Sequence, residues 1–155
     1  MYNLLLNFHN YIHYIVMFLL IALVGRSFYC WQRKVSFNQT TEKLSLYTFI
    51  ATHIQLLLGL ILYYLSPFVH FKNFPVAIKD KATRFWTVEH ISLMLIAVVL
   101  ITVARITMKK LNTDESKHKR LFFLNTLALI LILGAIPYPF MKEIGAARQY
   151  LFGLF

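Results

Sequence analysis

The chain has 155 residues, of which 59% are hydrophobic, with a formal charge of +10 and a mean hydropathy of +0.61. Soluble domains run nearer 45–50% apolar, so this composition excludes an ordinary soluble domain, and the length suits one compact unit over 1–155. The basic residues fall between long apolar runs, which argues against a nucleic-acid face and for membrane topology.

The opening MYNLLLNFHNYIHY lacks a basic stretch and a small-residue cleavage site, so the first apolar run is expected to stay in the protein. That run covers about 9–30 and can be extended back to Leu4. Cys30 stands alone, which leaves no intrachain disulfide, CxxC metal site or covalent haem attachment motif. The second run, about 44–66, is stopped by Pro67; the third covers about 86–106; the fourth, about 121–138, is stopped by Pro137 and Pro139. Each is long enough for a membrane span, so the expected fold is an all-α membrane protein, a bundle of four transmembrane helices. The tail, Met141 to Phe155, reads as a short interfacial helix or a frayed end.

Basic residues set the expected orientation. Arg26, Arg33, Lys34 and Lys43 lie between spans one and two, and Arg105, Lys109, Lys110, Lys117, Lys119 and Arg120 between spans three and four. These ten share one side; the other carries Lys72, Lys79, Lys81, Arg84, Lys142 and Arg148. The bias puts the two basic loops in the cytoplasm and both termini outside.

The third span, WTVEHISLMLIAVVLITVAR, carries Glu89 and His90 side by side near its start. Ionisable groups in a span are costly and by default functional. At 100° per residue, His90, Met94, Ala97, Ile101 and Ala104 share one face, which would admit a flat bulky group or a close helix. Glu89 points about 100° away, toward another group such as His9, His13, an arginine or a quinone.

Four of the six histidines fall in or at spans: His9, His13, His53 and His90. His9 and His13 are one helical turn apart. With span midpoints near Met17, Gln55 and Ala97, His9, His13 and His90 lie roughly 12, 6 and 10 Å to the outer side of the midplane. His53 lies near the midplane and is the poorer match. His118 reads as part of a solvated basic loop and His70 as an outer-loop residue. On span two, Thr48, Thr52, Gln55 and Gly59 share a face of small and polar residues, which predicts close helix packing with an interhelical hydrogen bond.

Two histidines facing across a bundle at one level are what a six-coordinate b-type haem requires. His90 is then one candidate ligand, with His9, His53 or His13 as its partner, and Arg84 or Lys81 could pair with the propionates. A copper or zinc site at the outer mouth, built from His9, His13, Glu89 and His90, is the second reading. A cofactor-free accessory or assembly subunit is the third.

FHNYIHY, THIQLLLGLILYYLSP, RFWTVEHISLMLIA and LILGAIPYPF, in that order, resemble small four-span bacterial membrane proteins described as cytochrome b-like. The likeness covers nearly the whole chain. It implies that His9, His53 and His90, with Glu89, are the polar residues of interest, and that His13 stands where an arginine is usual. Three such histidines fall short of the four that two bis-histidine haems need, a departure from the larger two-haem cytochromes. The expected function is electron transfer through haem b, with a quinone or other respiratory membrane proteins as partners.

Overall fold

The computed structural model describes residues 1–70 and 74–138, together with Ile144. The tail 141–155 apart from Ile144, and Lys72 and Pro139, lie outside the described residues, as do the expectations placed on them. Among the described residues there is no strand, and four long helices make the fold.

Helix α1 runs Tyr2–Gln32, starting earlier than the apolar run because no glycine or proline interrupts the polar lead-in. It closes with two reverse hydrogen bonds, Lys34 N–H to Trp31 O at 3.3 Å and Val35 N–H to Cys30 O at 2.9 Å. This pairing puts the residue after the cap in the left-handed region, and Lys34 has φ 52°. Glycine normally stands there, since a side chain costs about 1–2 kcal/mol in that conformation. Lys34→Gly is therefore expected to stabilise the fold by about 1 kcal/mol, read as a raised unfolding midpoint in detergent.

Helix α2 spans Gln39–Leu65. The Asn38 side chain accepts from Thr41 N–H at 3.1 Å, and Pro67 stops the helix by forcing Ser66 into extended backbone. Two single turns follow, α3 Phe74–Ala77 and α4 Lys81–Arg84. Asp80 caps the second through Thr83 N–H and Thr83 Oγ1 at 2.8 and 2.7 Å, and those bonds hold its carboxyl below the usual range. A π-helical turn, Phe85–Glu89, then joins α4 to α5, His90–Met108. Helix α6 spans Asp114–Gly134, capped by Thr113, whose Oγ1 accepts from Ser116 N–H.

Among the described residues, three helical stretches are long and apolar enough to cross a membrane: Tyr2–Gln32, Gln39–Leu65 and the continuous Lys81–Met108. The fourth expected span differs. Helix α6 opens on Lys117, Lys119 and Arg120 and ends at Gly134, and residues 135–138 are not helical. Its apolar part is about 21 Å long, short of a hydrocarbon core of about 30 Å. Pro137 excludes its neighbour from helical backbone, which ends the element sooner than hydropathy indicates.

Helix α1 packs against α2 and α6, and α5 packs against α6 and, more lightly, α2. One core cluster joins Leu20, Ala97, Ile101, Ala128 and Ile132; another joins Leu23, Ala104, Met108 and Leu121. The small-residue face of α5 is thus filled by neighbouring helices, as its composition allows. Helix α2 is built inside out. It buries Thr41, Ser45, Thr48 and Thr52 while exposing Ile50, Ile54, Leu57 and Leu60. Arg105, counted above among loop cations, is buried in the bundle, where its Nη1 donates to Glu42 O and Ser45 Oγ at 3.3 Å each.

Candidate functional site

The π-helical turn positions the site. Tyr63 Oη donates to Thr87 O at 2.9 Å, and His70 N–H donates to Thr87 Oγ1 at 3.2 Å. The end of α2 and the outer loop thereby hold the turn in place. Just after it, His90 Nδ1–H donates to Ala135 O at 2.9 Å, at the end of α6. A carbonyl oxygen only accepts, so the shared proton belongs to Nδ1 and Nε2 keeps its lone pair. The rings of Trp86 and Phe85 lie 5.5 and 5.9 Å from the imidazole.

Across the bundle, Gln55 Nε2–H donates to His9 O at 2.9 Å. Gly59, one turn on, faces the His9 ring so closely that a Cβ there would lie 3.2 Å from Cε1. These two contacts are the seam expected from the Thr48, Thr52, Gln55 and Gly59 face, and Thr48 Oγ1 also approaches Leu19 O at 3.5 Å. His9 Nδ1 is buried without a hydrogen-bond partner. His13 follows one turn later, partly buried. Gly59, which packs on the His9 ring, and Tyr63, which bonds Thr87 just before His90, are one turn apart on α2, so His9 and His90 lie at the same end of the bundle.

His53 stands apart. Its Nδ1–H donates to Phe49 O at 2.8 Å, and Nε2 faces Thr102 Oγ1 at 3.5 Å. Thr102 is twelve residues beyond His90 on α5, about 18 Å along the axis. The structure does not bring His53 and His90 together.

Glu89 turns to Arg84, with Nε and Oε1 2.6 Å apart and both side chains 42% exposed. An exposed pair of this kind contributes at most about 1 kcal/mol. Of the partners open to Glu89 the structure gives it an arginine, the same one expected to serve propionates. The copper or zinc set at the outer mouth does not assemble: among the described residues no three His, Cys, Asp or Glu side chains are placed to hold a metal ion. A bis-histidine haem needs only two imidazoles; the candidates at this end are His90, which keeps its Nε2 lone pair, and His9, whose Nδ1 has no hydrogen-bond partner.

His118 overturns its expectation. It is fully buried, with Nε2 3.2 Å from Val35 O, because the loop joining α1 and α2 folds over the start of α6. Sequence reasoning also missed Ala135, Thr87 and Thr102. A main-chain carbonyl carries no side-chain signal, while Thr102 and Thr87 stand in apolar runs where one hydroxyl is unremarkable.

Among the described residues, fold and site together define an all-helical protein of four long helices, three of them of membrane length, with His9 and His90 at one end. No family model matches the chain, and no curated protein or solved structure matches it either.

Proposed function

We propose that this chain is an integral membrane electron carrier related to small four-span cytochrome b-like proteins, holding one haem b between His90 and His9. The observation that carries the reading is the His90 arrangement: Nδ1 is fixed to the Ala135 carbonyl, so the lone pair is on Nε2, at the end of the bundle where the His9 ring packs on Gly59. A ligand imidazole is normally oriented in this way by an acceptor on its second nitrogen. When bound, the haem supplies one-electron chemistry at its iron. The protein's own part is to orient and to exclude water. Ala135 O fixes the His90 ring, Gln55 anchors the α1 backbone at His9, and Phe85 and Trp86 shield the imidazole. Glu89 immediately precedes His90, and its partner Arg84 lies more than a turn further to the outer side, where a propionate or a quinone headgroup would be met.

The exposed apolar faces of α1, α2 and α5 support membrane insertion, because a helix that buries threonines and exposes leucines is stable only in an apolar solvent. The basic loops then face the cytoplasm and the N-terminus lies outside, in a bacterial inner membrane. An impermeant thiol reagent on intact cells should label a cysteine placed at position 70 and spare one at position 34; the reverse pattern inverts the orientation.

The haem reading is tested by oxidised and dithionite-reduced absorption spectra of protein purified from haem-replete cells. Reduced b-type bands are expected, and their absence ends the reading. A cofactor-free accessory subunit is the second reading, favoured by His53, whose contacts to Phe49 and Thr102 are those of a structural histidine.

A further inference from the structure

At the end of the bundle remote from His9 and His90, a second histidine is enclosed. His118 lies among Lys117, Lys119 and Arg120 on α6, yet has no exposed surface. Its Nε2–H donates to Val35 O at 3.2 Å, and its ring centroid lies 5.2 Å from that of Phe37. Both partners belong to the loop between α1 and α2. Since the carbonyl only accepts, the proton sits on Nε2, and Nδ1 carries a lone pair that is buried without a partner.

A second proton would have to enter at Nδ1. It would create a buried N–H with no acceptor and a full positive charge in a closed site. The surrounding charges divide. Arg26 on α1 and Lys117 on α6 oppose that charge, while Asp114 on α6 favours it. Arg26 is held in place by Thr41 Oγ1 at 2.9 Å and Asn38 Oδ1 at 3.0 Å, and Lys117 sits over the Phe37 ring at 5.4 Å. Neither cation can withdraw without breaking a contact of the same loop.

We propose that His118 is a proton-sensitive latch: neutral, it holds the α1–α2 loop against the start of α6, and protonated, it releases that loop. Burial pushes the imidazole below its ordinary value, outweighing the opposing pull of the Val35 bond and Asp114. The released form binds the proton more tightly than the latched form. Latching is therefore complete above the released value of about 6.5 and weakens as pH falls below it, until the latched form also takes the proton. Over that interval the opening constant rises as pH falls. The device senses protons on the basic side of the bundle, opposite His9 and His90.

Hydrogen exchange of the backbone amides of residues 33–38 tests this in the full chain in detergent, from pH 8 to 5, with rates corrected for intrinsic exchange. Excess exchange is expected to be level above about 6.5 and to climb as pH falls below it. His118→Gln, which keeps an N–H donor but cannot be charged, should remove that climb. Should this variant not fold, Trp86→Phe leaves Trp31 as the sole tryptophan, packed on Phe122 and Phe123 at the edge of the same loop. Its emission should then shift over the same pH interval. Flat protection of 33–38 across the range, unchanged pH dependence in His118→Gln, or flat Trp31 emission overturns the latch.

Discussion

Replacing His90 with alanine is expected, on the proposed haem reading, to abolish a low-spin b-type spectrum, because a haem that loses one axial ligand turns high-spin or leaves the protein. The same change removes the bond to Ala135 O, so loss of fold must be separated from loss of ligand. His90→Asn makes the separation. Its amide N–H can still reach Ala135 O, but it offers the iron no imidazole. Preserved helicity with no haem bands in His90→Asn is the expected outcome. If His90 serves structure alone, His90→Asn should match the wild type while His90→Ala loses about 1–3 kcal/mol through the orphaned carbonyl. His9→Ala should behave as His90→Ala does, and His53→Ala should keep the spectrum, since His53 belongs to a different level of the bundle. Glu89→Gln should keep the haem and raise its potential, leaving Arg84 as an uncompensated cation near the iron.

Much of this arrangement is legible in the chain because helical geometry converts spacing into position. The 100° step places Ala97, Ile101 and Ala104 on one face, and that face is buried against α1 and α6. The 1.5 Å rise puts His9 and His90 at one end of the bundle and sets His53 apart. The Gln55 and Gly59 face predicts the α1–α2 seam, since small and polar residues are what close helices in an apolar solvent require. Three features escape such reasoning. The π-helical turn before His90 depends on contacts that Thr87 makes to Tyr63 and His70, distant in sequence. The acceptor for His90 is a main-chain oxygen at a helix end, fixed by where Pro137 lets α6 stop. His118 looks solvated because its neighbours are lysines, but the loop that covers it is held by Val35 and Phe37, about 80 residues away in the chain. Periodicity reports which residues share a face; it does not report which loop folds over that face.

Gly59→Leu should be the most damaging single change to the bundle outside the histidines. A Cβ at this position already lies 3.2 Å from His9 Cε1 and 3.8 Å from Nδ1, so even alanine makes the ring yield by a few tenths of an ångström. Leucine adds three carbons in the same direction, and the ring has little room, because Gln55 Nε2 ties the His9 backbone to α2 at 2.9 Å. The helices must then part, or His9 must swing out of the seam. Overpacking of this kind costs about 1–3 kcal/mol. Leu58→Ala is the control: Leu58 is only partly buried, and its truncation should cost about 1 kcal/mol or less. Thermal unfolding in detergent distinguishes the two. On the proposed haem reading, Gly59→Leu has a second consequence, since it displaces His9 while leaving His90 and Ala135 untouched. Its spectrum should shift from low-spin toward high-spin at temperatures where the helices remain folded. Equal stability of Gly59→Leu and Leu58→Ala would remove the close α1–α2 seam, and an unchanged low-spin spectrum in Gly59→Leu would move the second ligand from His9 to His13.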